Sequence, residues 1–303
     1  LISMPQLNIV RQGQGPLVVL SHALGCDLTM WDGVAAALQD RYTVLRYDQR
    51  GHGQTPATEG AYSMDDLADD AAELIRAQGA GPVHFVGLSM GGMTAQALAA
   101  RHPELVRSIV IANSAASYDE AARTMWQARI DTVRVNGVPP IADGALQRWF
   151  TPEFRADQVN GGAERVAKLR AVLETTPALP YAAACAAVAA IALDEGNARI
   201  TCPTLVIAGS RDEATPPAMS QAIADRIPGA QLASLDAARP PAQPILGTRL
   251  LVWLAFAIAL VAGTACANQG LPPGGPQDLA PPQILKITPE TNAVTSKPGE
   301  VTI

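Results

Sequence analysis

Short, dense apolar runs recur between residues 17 and 235, and polar stretches of helical period separate them. Leu17–Leu20 (LVVL), Tyr42–Tyr47 (YTVLRY), Val83–Val86 (VHFV), Ile109–Ala112 (IVIA), Thr204–Ala208 (TLVIA) and Gln231–Leu235 (QLASL) are such runs. Apolar runs this short, bounded by turn residues, read as buried strands. Between them, Trp31–Leu38, Ser63–Ala77, Gly92–Ala100 and Ala218–Arg226 read as helices. Ser63 suits a helix cap, and Asp65, Asp66 and Asp69 near that start suit the positive end of the helix dipole. Strands alternating with helices at this spacing predict an α/β fold, a mostly parallel sheet covered on both faces.

The alternation stops between Tyr118 and Asn197, where the pattern is helical throughout. Trp126, Trp149, Phe150, Phe154 and Tyr181 recur there irregularly. This predicts a helical cap at 116–199, with the core built from 1–115 and 200–238. The character changes again after Ala238. Arg239–Gly247 is proline-rich, Leu250–Ala265 is an uncharged apolar run, and Asn268–Ile303 is rich in proline and polar residues apart from an apolar patch at Ile284–Ile287. Residues 239–303 are therefore expected to form a tail that packs poorly on the core and is largely irregular from 268 onward.

Composition narrows the class. The chain has 303 residues, 48% hydrophobic and 17% charged, with a formal net charge of -6. No basic stripe is available to meet phosphates, so nucleic acid is not an expected partner. Cys26, Cys185, Cys202 and Cys266 have no metal-ligand spacing, which predicts reduced thiols and no metal site. Leu1–Val10 carries neither a basic cluster nor a long apolar run, so no signal peptide is expected there and the body is expected to be cytoplasmic. The apolar run at 250–265 is the one candidate for membrane contact, somewhat short of the roughly 20 residues a span needs.

The chemistry concentrates at Gly87-Leu88-Ser89-Met90-Gly91, a G-x-S-x-G pentapeptide between an expected strand and an expected helix. In that context the serine sits on a sharp turn with its oxygen at the tip, at the amino end of a helix. The flanking glycines let strand and helix approach closely. Ser89 is the candidate nucleophile.

The residues that surround this motif resemble the α/β-hydrolase fold family, and within it the 3-oxoadipate enol-lactonases. The resemblance is carried by SHALGCDLTMWD (Ser21–Asp32), RYDQRGHG (Arg46–Gly53), GLSMGGM (Gly87–Met93), RWFTPEF (Arg148–Phe154), YAAACAAV (Tyr181–Val188) and GSRDEATPP (Gly209–Pro217). It implies Ser89 as nucleophile and Asp212 as the acid of a triad. It also implies the backbone N–H groups of Leu24 and Met90 as oxyanion donors, with Arg148 and Trp149 facing the substrate. The implied substrate is a small lactone or ester, and no cofactor is needed. Carboxylesterase and cofactor-free haloperoxidase activities of the same fold are the alternatives. Trp126 and Tyr181 read as cap packing. His22 and His52 read as structural, and His84 and His102 do not occupy the place of a base.

Two departures stand out. Related lactonases carry an arginine–aspartate pair where this chain has Ala189 and Ala190, a cap suited to a less anionic substrate. The family also places its triad histidine just after the last strand, where this chain reads Leu235-Asp236-Ala237-Ala238-Arg239. Arg239 stands at the expected position, and a guanidinium stays protonated and cannot act as a general base near neutral pH. Arg249 followed by the apolar run and Gly263-Thr264-Ala265-Cys266 resembles a bacterial lipoprotein signal peptide, and 268–303 resembles the start of a surface lipoprotein. The expectation is a hydrolase body joined near Ala238 to the front of an unrelated protein, with impaired catalysis. A non-catalytic, membrane-tethered fusion protein and a divergent terminal helix at Ile245–Ala262 are the other readings.

Overall fold

The computed structural model describes residues 5–159 and 161–235, together with the backbone of 284–288. The apolar runs become strands β2 (Leu17–Ser21), β3 (Thr43–Tyr47), β4 (Val83–Leu88), β5 (Val106–Ala112), β6 (Thr204–Gly209) and β7 (Gln231–Leu235). They lie in the order β3-β2-β4-β5-β6-β7, every neighbouring pair parallel. β1 (Ile9–Gln12) adds an antiparallel edge beside β3. Its positions are mostly exposed, so no apolar run announces it.

The alternation of side chains along each strand divides the core into two layers. Val18, Leu20, Val44, Val86 and Val110 face one way, against Trp31, Val34 and Leu38 around helix α1 (Asp32–Leu38). Val19, Leu45, Phe85, Ile109 and Ile111 face the other way, toward α2 (Met64–Ala77) and α3 (Met90–Arg101). Burial on both faces is why these strands carry dense apolar runs rather than a strict alternation. α2 begins with a capping box: Asp66 N–H donates to Ser63 Oγ at 3.3 Å, and Ser63 N–H donates to Asp66 Oδ2 at 2.7 Å. From its inner face Asp70 takes two bonds of 2.6 Å from Arg50, both side chains almost fully buried. That pair pins the turn after β3 to the helix.

Between β5 and β6 the regular elements of the described residues are helices: α4 (Glu120–Asn136), α5 (Pro139–Trp149), α6 (Pro152–Ala156), α7 (Gly162–Thr175), α8 (Ala178–Ala189) and α9 (Asp194–Asn197). Helix α10 (Pro217–Arg226) then returns the chain to β7. The loop after β2 presses directly on the cap. A Cβ on Gly25 would lie 2.5 Å from Leu173 Cδ1 and 3.0 Å from Tyr181 Cε2, and its φ of +72° is glycine territory. Cys26, Cys185 and Cys202 are free thiols. Among the described residues no single helix is long and apolar enough to cross a membrane.

One expectation for the tail needs correction. Residues 284–288 are not irregular: their backbone forms β8 (Ile284–Thr288), antiparallel to β7 in a register that pairs Ala233 with Ile287. Without it β7 would present unpaired N–H and C=O groups at the sheet edge, and the sequence ILKIT is rich in β-branched residues. Arg239, the apolar run 250–265 with its signal-like ending at Cys266, and the rest of 268–303 lie outside the described residues.

Candidate active site

Ser89 ends β4 and opens α3 at φ 53° and ψ -112°. Among the described residues only Ser89 and Asn113 are non-glycine residues with positive φ. Strain of this kind persists only where the surroundings over-determine it, and it concentrates at functional sites. The surroundings are explicit here. Ser89 N–H donates to Ala112 O at 2.9 Å, and Ser114 Oγ–H donates to Ser89 O at 2.8 Å. The side chain makes no capping bond to its own helix.

The glycines are steric necessities. A Cβ on Gly87 would lie 2.0 Å from Gly91 O, and one on Gly91 would lie 2.1 Å from Ser21 O. Backbone atoms cannot give way as flexible side chains do. Gly91→Ala must therefore push α3 away from β2, and it is expected to cost about 1–3 kcal/mol or more. Urea denaturation of the variant at pH 7.5 measures this, and an unchanged midpoint would contradict the packing.

Ser89 opens on a cavity of about 430 Å³ enclosed by the sheet ends and the cap. Leu24, Asp212, Arg148 and Trp149 line the same cavity, so it gathers the sequence-derived candidates with the exception of Met90. Met90 is buried immediately behind Ser89, at the first turn of α3. The first N–H groups of a helix have no partner within it, so a backbone donor there needs no exposed side chain. On the other wall, Ala23 N–H donates to Met30 Sδ at 3.4 Å and Gly25 N–H to His52 Nε2 at 3.1 Å. The intervening Leu24 N–H has no bond of its own among the described residues.

Asp212 sits in the turn after β6. Its Oδ1 accepts from Ala214 N–H at 2.8 Å and Thr215 N–H at 3.0 Å, and Oδ2 accepts from Thr215 Oγ1 at 2.9 Å. Burial pushes its carboxyl above the usual range, and those three donors oppose the shift.

The chain's four histidines lie elsewhere. His22 donates from Nδ1 to Ala23 O at 2.8 Å, while its Nε2 accepts from Gln49 N–H at 2.8 Å. His52 is held between Arg50 O at 3.2 Å and Gly25 N–H. Burial lowers them to about 4 and about 3 respectively, so both rings are neutral struts of the loop that carries Leu24. His84 bonds Ser108 Oγ at 2.7 Å, and His102 bonds Asp69 at 2.7 Å.

The cavity also holds residues that were not singled out from sequence: Asn113, Tyr118, Arg129 and Gln147. Trp126, read as packing, lines it as well. The Arg129 guanidinium lies 5.1 Å from the centre of the Trp126 ring and donates to Tyr181 OH at 3.4 Å. The three-residue spacing of Trp126 and Arg129 on one helix was the available signal. Tyr181 itself is fully buried, as expected of packing. Arg148 is held below its ordinary range by burial and by the neighbouring charge of Arg129.

Comparison with known proteins agrees with this architecture. A family model described as the alpha/beta hydrolase fold matches residues 16–240. The 3-oxoadipate enol-lactonase 2 of Acinetobacter baylyi is 39% identical over 233 residues, 76% of this chain and 85% of that protein. Among solved structures, an enol-lactonase from Burkholderia xenovorans superposes with a TM-score of 0.76 at 33% identity, covering 86% of this chain and 96% of that one. A thermophilic esterase from Thermogutta terrifontis has a TM-score of 0.76 at 26% identity, with 86% and 95% covered. With its serine turn, mostly parallel sheet and helical cap, this chain belongs to the α/β-hydrolase fold family.

Proposed function

We propose that the chain is a serine hydrolase of lactones and carboxylic esters, similar in substrate to the 3-oxoadipate enol-lactonases, and that its catalysis is impaired. The observation that carries this reading is the strained Ser89 opening on a cavity shared with Asp212 and Leu24. Ser89 Oγ adds to the carbonyl carbon, the C=O electrons move onto oxygen, and the N–H groups of Leu24 and Met90 hold that oxyanion. Collapse of the adduct expels the alkoxide or enolate and leaves an acyl group on Ser89, which water then removes. Each half needs a base to accept a proton. Asp212 serves to orient a histidine rather than to move the proton itself. No histidine lines the cavity among the described residues, and position 239 carries arginine. We therefore read turnover as slow, with the oxyanion donors and binding supplying what remains.

The test compares the chain with its Ser89→Ala variant on p-nitrophenyl butyrate and on a butenolide lactone. Weak hydrolysis that disappears in the variant supports the reading, whereas hydrolysis untouched by Ser89→Ala refutes it. The histidine-free cavity also favours a second reading, a body that binds small molecules without turning them over. Saturable binding with no Ser89-dependent hydrolysis would select it. Arg148 supplies a cation for a substrate carboxylate. Arg148→Ala is expected to raise KM about tenfold for a carboxylate-bearing ester and to leave an uncharged ester unchanged. Equal changes for both would remove Arg148 from substrate recognition.

A further inference from the structure

Asn113 is, after Ser89, the other non-glycine residue of positive φ among those described, at 43°. It follows directly on β5 and lines the cavity. Asparagine tolerates this conformation better than most residues, but a surface turn is its usual reason for adopting it. Here the residue is inside a network. Asn113 N–H donates to Ile207 O at 2.9 Å, and its Oδ1 accepts from Gly209 N–H at 2.9 Å. Gly209 O in turn accepts from Asp212 N–H at 3.2 Å. On the other side, the residues flanking Asn113 hold the serine turn through Ala112 O and Ser114 Oγ. The segment 112–114 thus bonds the Ser89 turn with one hand and the Asp212 turn with the other.

We infer that Asn113 is a positioning residue that fixes the Asp212 turn relative to Ser89, using its left-handed backbone to aim Oδ1 at Gly209 N–H. The left-handed conformation is what turns the side chain across to β6. An extended residue at the end of β5 would continue along the strand and leave Gly209 N–H without this acceptor. A Cβ on Gly209 would lie 3.5 Å from Asn113 Nδ2 and 3.8 Å from Asp212 Cβ, ordinary contact distances that place Gly209 directly between the two side chains' segments. The inference rests on Ser89 and Asp212 working at one site, as proposed above.

Two substitutions separate positioning from mere structure. Asn113→Gly accepts the backbone conformation without strain but removes Oδ1, and Asn113→Asp keeps an acceptor at the same place. The measurements are amide exchange at Gly209 by NMR, the urea midpoint, and kcat and KM for p-nitrophenyl butyrate. Where turnover is slow, the rate at which a fluorophosphonate labels Ser89 replaces kcat. Asn113→Gly is expected to speed Gly209 exchange about tenfold and to lower kcat or the labelling rate about tenfold. KM should stay within about twofold and the midpoint should not fall. Asn113→Asp should restore both exchange and rate. Unchanged Gly209 exchange in Asn113→Gly would overturn the brace, and faster exchange with an unchanged rate would reduce it to a structural contact. Ser89→Ala run alongside keeps the two readings apart. If it leaves hydrolysis intact the serine-hydrolase reading fails, whereas loss there with no effect at Asn113 fails this inference alone.

Discussion

Replacing Arg239–Ile303 with an enol-lactonase-like ending that begins with histidine is expected to raise kcat/KM for lactone and ester hydrolysis by about 10²–10⁴-fold. That is the range a positioned general base contributes, or about 3–5 kcal/mol of barrier. The other parts of the proposed machinery lie among the described residues. Ser89 is already forced onto its strained turn, Asp212 is already oriented by Ala214, Thr215 and the Gly209 turn, and both border one cavity. On the proposed reading, what the site still needs is a proton acceptor. A guanidinium at 239 offers no vacant lone pair for the serine proton. Arg239→His alone is expected to recover less than the full exchange, because a base works only when its ring is held in place by the segment that follows it. Ser89→Ala introduced into the active chimera should return it to the background rate. Full turnover by the unmodified chain, lost on Ser89→Ala, would show that another group accepts the proton and that the reading of position 239 is wrong.

The division between what was legible in the sequence and what was not follows burial. Strands β2 through β7 were readable because both of their faces are largely covered, so each contains a short, dense apolar run. β1 was silent because Ile9, Val10 and Arg11 are exposed on an edge and any polar residue would serve there as well. β8 was visible only as an apolar patch. Its pairing with β7 depends on a free sheet edge far away in sequence, which no local pattern encodes. The site divides in the same way. Ser89 carries a local signature because the turn needs glycines at fixed offsets on either side. Asp212, Leu24 and Arg148 came from resemblance, and the cavity brings them to one place. Arg129 and Asn113 escaped because their roles depend on what packs across from them. Arg129 leans on Trp126 and Tyr181, and Asn113 reaches over to β6.

The pair His22 and His52 is expected to make the protein lose about 4 kcal/mol of stability between pH 7.5 and pH 5.0. Each ring is fully enclosed, and each uses Nε2 to accept a backbone N–H, from Gln49 and Gly25 respectively. Protonation would put a hydrogen on that nitrogen, facing another donor, and would place two cations with ring centres 5.1 Å apart. Burial accordingly lowers them from 6.5 to about 4 and about 3. The sign follows from where the protons go. Below pH 6.5 the unfolded chain takes up protons that the folded chain refuses, so stability is complete above 6.5 and falls as the pH drops. One group contributes about 1.4 kcal/mol per pH unit, hence about 2 kcal/mol each by pH 5.0. Burial lowers His84 too, which adds in the same direction. The loss comes at the loop that carries Leu24, so the proposed oxyanion donor is released along with the stability. Urea titrations at pH 7.5, 6.5, 5.5 and 5.0 measure the slope. His52→Gln keeps an acceptor for Gly25 N–H but cannot take the proton, so it should begin less stable and lose only about half as much over the same range. Equal slopes for the two proteins would mean that the acid sensitivity arises outside this pair.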